Sequence, residues 1–149
     1  MKPPPIGQFA EPVLIALRTL RDAYPSARMS LIGARALAFH MDMAWRNTAD
    51  IDVVLTIEID DLDAAETKLI GWERQPPPRW IAPYGVKVDL VPTPADALAN
   101  RKLIWNDGRA MSLAGIGAAL ENKSKILVSK GIDIAVAPVP IIALLKMAA

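Results

Sequence analysis

The sequence predicts a mixed-sheet domain of the α/β or α+β class. Three observations lead there. Short β-branched, apolar runs alternate along the chain with segments rich in helix formers. Prolines and glycines fall at the boundaries between them. The chain has 149 residues, 52% of them hydrophobic, which suits one domain around one core.

Residues 12–24, PVLIALRTLRDAY, place Val13, Leu14, Leu17 and Leu20 on one helical face and Arg18, Arg21 and Asp22 on the other. Pro12 suits a first helical turn. Residues 27–33, ARMSLIG, read as a short strand stopped by Gly33. A helix is expected to open directly after it, over 34–42, ARALAFHMD. The run 50–58, DIDVVLTIE, predicts a buried strand. Residues 60–72 predict an acid-headed helix with Asp60 or Asp61 as N-cap and Gly71 as its end. After the proline loop QPPPR, residues 80–92 predict a hairpin turning at Pro83-Tyr84-Gly85 and stopped by Pro92. Helix is expected over 95–105, two short strands around Lys130-Gly131 over 125–138, and a last helix beginning at 139.

Composition narrows the chemistry. With 17 basic and 16 acidic residues the net charge is +1, which argues against a dominant nucleic-acid-binding surface. Without cysteine there is no disulfide scaffold, thiolate metal site or cysteine nucleophile. A single histidine excludes a multi-histidine zinc site within one chain. The N-terminus MKPPPIGQ lacks the apolar core of a signal peptide, and no apolar run approaches the roughly 20 residues that span a membrane. A soluble, cytoplasmic protein is expected.

The informative stretch is RNTADIDVVL, residues 46–55. Residues i and i+2 of a strand share a face, so Asp50 and Asp52 project together while Ile51, Val53 and Leu55 project into the core. In VKVDLV the parity repeats: Val86, Val88 and Leu90 form one face and Asp89 stands on the other. If the two strands are neighbours, three carboxylates meet. They repel one another unless a cation joins them, and hard ions such as Mg²⁺ are the usual partner. Upstream, a strand, Gly33-Ala34 and a helix start make a candidate phosphate cradle from backbone N–H groups. Arg46 and Thr48 stand just before the carboxylates, where they can touch phosphate or brace the loop.

In this order the residues LIGARALAFHMDMAWRNTADIDVVL and VKVDL resemble the nucleotidyltransferase superfamily of the DNA polymerase β type. The likeness is strongest to AbiEii-type and related minimal nucleotidyltransferases of bacterial toxin–antitoxin systems, and it covers about residues 27–92. Gly33 fills the first position of the family's glycine turn, and Ala34 replaces its usual Gly or Ser. Arg46 and Thr48 fill an Arg-x-Thr step. Asp50, Asp52 and Asp89 fill the three carboxylate positions. Lys146, in LLK near the C-terminus, matches a lysine found on a terminal helix of relatives. Relatives usually continue with further helix and another charged motif, so the chain is expected to be a fragment or a minimal version of one nucleotidyltransferase-like domain.

The resemblance implies a Mg²⁺-dependent transfer, with Mn²⁺ as substitute, of NMP from a nucleoside triphosphate such as ATP to an acceptor hydroxyl. RNA (a tRNA end), a protein side chain or a small molecule is the implied acceptor, and an antitoxin the implied partner. Asp50 and Asp52 are the implied ligands of two metals, and Asp89 of the one that activates the acceptor. Gly33, Ala34, Arg46, Thr48 and Lys146 are the implied nucleotide contacts. Two further readings stay open: a catalytically weak nucleotide- or partner-binding module on the same fold, and an unrelated α/β domain whose aspartates never meet. His40 is expected to pack rather than catalyse, and Asp60, Asp61 and Asp63 to serve a helix N-terminus. Trp80, Trp72 and Trp45 are read as core or rim packing, with base stacking the alternative for Trp80.

Overall fold

A computed structural model of the chain describes residues 9–33, 36, 50–121, 125–129, 132–137, 140–142 and 145. It is a mixed α/β fold. Helix α1 (Glu11–Ala23) is followed by strands β1 (Met29–Ile32) and β2 (Asp50–Leu55). Next come a short helix α2 (Ile59–Asp63), the hairpin strands β3 (Glu73–Arg74) and β4 (Arg79–Ile81), and β5 (Lys87–Pro92). Helix α3 (Ala95–Asn100) leads to the small hairpin β6 (Lys102–Ile104) and β7 (Ala110–Ser112). Helix α4 (Ile116–Glu121) and strands β8 (Lys125–Ser129) and β9 (Ile132–Val136) complete the order, and residues 140–142 and 145 are helical.

Among the described residues one sheet of seven strands runs β3-β4-β5-β2-β1-β9-β8, and β6 and β7 pair separately. β2 is central. It lies antiparallel to β1 and parallel to β5. Such a position demands apolar side chains on both faces away from the strand's mouth. Accordingly Ile51, Val53, Val54 and Leu55 are fully buried while Asp50 and Asp52 are half-buried. In β5, Val88 and Leu90 are fully buried on the face opposite Asp89. The far ends of the two strands are tied together by Thr93, whose backbone N–H and Oγ1 both donate to the Leu55 carbonyl at 2.9 Å. Helix α1 buries Val13, Leu17 and Leu20 of the predicted face together with Ala16, Leu14 is partly buried, and the helix packs against β9. Arg21 closes its end by donating to the carbonyls of Tyr24, Pro25 and Ala27, each at 2.7 Å.

Two helix expectations are corrected. The helix over 60–72 is two short pieces: α2 ends at Asp63 and a 3₁₀ turn covers Ala64–Thr67. Its N-cap is Glu58, without a side-chain cap bond, and Asp60 and Asp61 fall inside the first turn, where their charge suits the helix dipole. The helix over 95–105 stops at Asn100, because Arg101 turns left-handed (φ 55°). Beyond it Leu103 and Trp105 are buried and Lys102 and Ile104 exposed, a period of two that makes a strand. Trp80 is buried with the Arg74 guanidinium 5.5 Å from its ring centroid, so it is a core residue and offers no free face to a base. The predicted helix over 34–42, His40 and Trp45 lie outside the described residues, apart from the buried Ala36. Among the described residues no helix is long and apolar enough to cross a membrane.

Candidate metal and nucleotide site

The parity argument for the aspartates depends on β2 and β5 being neighbours, and they are. Their parallel register sets Asp50 opposite Lys87, Ile51 opposite Val88 and Asp52 opposite Asp89. Asp50, Asp52 and Asp89 therefore share one face, with Asp52 and Asp89 side by side. The reading in which these residues never meet is removed.

β1 brings a fourth participant. Ile32 pairs with Asp52, so Gly33 leaves the strand directly beside that carboxylate. Gly33 has φ 73°, and a Cβ at this position would collide with Asp52 Oδ2. Both facts require glycine. The backbone thus approaches a carboxylate more closely than any other residue type would permit.

From the other side β4 contributes Arg79, which pairs in register with Asp89. Arg79 Nε donates to Asp89 Oδ1 at 3.0 Å, and its Nη2 donates to Asp50 Oδ2 at 3.3 Å and Asp89 Oδ2 at 3.4 Å. One guanidinium spans two of the three carboxylates. Lys87, beside Asp50 in the same register, is a second cation on this face and is exposed.

The electrostatics follow. Burial pushes the Asp52 carboxyl up to about 7; the charge and hydrogen bond of Asp89 and the charge of Asp50 add to this, and Arg79 opposes it. Three acids and one arginine leave uncompensated negative charge that is relieved by a proton or a cation.

Do these residues fit a metal? The donor set is carboxylate oxygen only, which suits a hard ion such as Mg²⁺. The Arg79 guanidinium stands in as a cation between Asp50 and Asp89. Among the described residues no three acidic, histidine or cysteine side chains form a group that could hold an ion; Arg79 engages both Asp89 oxygens and one of Asp50. The donor chemistry fits, while Asp50 and Asp89 are held by their own arginine.

Of the other predicted nucleotide contacts, Ala34, Arg46, Thr48 and Lys146 lie outside the described residues. Arg79 and Lys87 were not foreseen. The hairpin carried a signal for Arg79: a turn at 83–85 sets residue 79 opposite residue 89. An open cleft of about 550 Å³ lies at the opposite end of β2, lined in part by Tyr24, Arg28, Thr56 and Lys68. None of the three carboxylates lines it, so its size gives it no claim on their chemistry.

Compared with known proteins, the chain matches no family model and no curated protein sequence.

Proposed function

We propose that the protein is a Mg²⁺-dependent nucleotidyltransferase that moves NMP from a nucleoside triphosphate to an acceptor hydroxyl. The observation that carries the reading is the register of β2 and β5, which sets Asp52 against Asp89 with Asp50 on the same face. The close approach of Gly33 to Asp52 supports it, as does the resemblance over residues 27–92.

In this reading Asp50, Asp52 and Asp89 would hold the metal, and Mg²⁺ when bound would supply positive charge to the triphosphate and to the attacking oxygen. The acceptor oxygen forms a bond to the α-phosphorus as the bond from that phosphorus to the pyrophosphate oxygen breaks. Asp89 takes the hydroxyl proton. Gly33 lets the backbone come near the phosphates, and Lys87 places a positive charge at the mouth of the site for them. Positioning and charge neutralisation carry most of the acceleration. RNA, a protein side chain or a small molecule serves as acceptor, and an antitoxin-like partner belongs to the same reading.

One observation favours a second reading, a nucleotide- or partner-binding module of weak activity: Arg79 already occupies two of the three carboxylates. Calorimetric titration with ATP, with and without Mg²⁺, separates the two. The enzyme reading expects binding that depends on Mg²⁺ and is lost in Asp50→Asn and Asp52→Asn. Binding indifferent to Mg²⁺ and to both substitutions contradicts it.

A further inference from the structure

Arg79 has no part in the chemistry above, yet it bonds two of the three carboxylates. Its pairing is built by the fold, because the β4–β5 register sets it opposite Asp89. Its side chain is 36% exposed and that of Asp89 20%, so the pair is only partly screened by water. Both Asp89 oxygens and Asp50 Oδ2 already accept from it. A metal ion that uses those oxygens competes there with the guanidinium.

We propose that Arg79 is an internal counter-cation that neutralises Asp50 and Asp89 in the metal-free protein, so that a divalent ion competes with it for their oxygens. This rests on the carboxylate reading of the site. Arginine stays charged at all ordinary pH, so protons do not release it; a competing cation does. A divalent ion brings twice the charge to the same oxygens. The element carrying Arg79 suits such a movement: β4 is three residues long, and the two-residue β3 is its outer neighbour at the sheet edge. The guanidinium swings out on its own side chain while the β4 backbone stays paired. The apparent metal affinity is then the intrinsic affinity reduced by the fraction of molecules in which the arginine is out.

The test is Mn²⁺ titration of the metal-stripped full chain, with free Mn²⁺ read by electron paramagnetic resonance. The expected result is that Arg79→Gln binds Mn²⁺ roughly tenfold more tightly than the parent, as when a closed state populated about nine times in ten is removed. Arg79→Lys, which keeps the charge but loses the fork, is expected to fall between them. In the parent protein the Arg79 Nε–H resonance is expected to shift on saturation with Mg²⁺. Equal or weaker Mn²⁺ binding by Arg79→Gln, with binding lost in Asp52→Asn, overturns the proposal and leaves the metal site standing. No Mn²⁺ binding by any variant overturns both. Should Arg79→Gln fail to fold, the Nε–H resonance decides, and an unmoved signal at saturating Mg²⁺ overturns the proposal.

Discussion

At Asp52 two costs meet: a carboxylate largely withdrawn from water, and two more carboxylates on the same face. The proton it keeps up to about pH 7 is one it would lose near 3.8 in the unfolded chain. Between those values the folded state binds more protons, so the contribution of Asp52 to metal-free stability is fully present below about 4 and is lost as pH rises through about 7. Denaturant titrations across that range should show the decline, and Asp52→Asn should flatten it while raising stability at neutral pH. Gly33 is constrained on two counts, a left-handed backbone and the neighbouring Asp52. Gly33→Ala should therefore cost about 1–3 kcal/mol by chemical denaturation. The shared face of Asp50 and Asp52, and the place of Asp89 opposite Val88 and Leu90, were legible from strand parity; that the two strands are neighbours was not. Arg79 was missed because the sequence puts it in the proline loop QPPPR ahead of the expected hairpin, and Lys87 because it reads as ordinary surface until register sets it beside Asp50.

At the level of elements, the short strands at 29–32, 50–55 and 87–92 were legible because apolar side chains at alternate positions leave little choice of structure. The hairpin over 79–92 was legible from Pro83-Tyr84-Gly85, where Gly85 has φ 77°. The β6–β7 hairpin was not, although Asp107-Gly108 is a turn signal and Gly108 has φ 88°. The good helix formers of 95–100 run into Arg101, which turns left-handed with no glycine to announce it. Residues 60–72 bury Leu62, Ala65 and Leu69 at a spacing that one helix would also satisfy, yet the chain forms two short helical pieces, a break that nothing in the structure explains. The core face of β5 supports the carboxylates without touching their chemistry. Leu90 is fully buried there. Leu90→Ala should lower stability by about 2–5 kcal/mol in denaturant unfolding. Mn²⁺ affinity of the fraction that stays folded should be little changed.

Across the whole molecule the strand order was the least legible feature. Nothing local specifies that β9 joins β1 in parallel or that β2 lies between β1 and β5; these are long-range pairings that only burial of both sheet faces selects. Yet that order makes the site, since it brings Gly33 from β1, two acids from β2, one acid from β5 and Arg79 from β4 to one face. A ligand that binds only this assembled face stabilises the fold by mass action. Mg²⁺ should therefore raise the melting temperature near pH 7.5 by a few degrees, and by less near pH 5, where Asp52 holds its proton. The central claim, transfer of a nucleotide by these carboxylates, is tested most directly with triphosphates labelled at either the α- or the γ-phosphate. The folded chain is incubated with each, Mg²⁺, and total RNA or lysate. The account predicts that α-label enters an acceptor and γ-label leaves as pyrophosphate, and that Asp52→Asn abolishes the transfer. Absence of α-label transfer under all conditions, or its survival in Asp52→Asn, would contradict it.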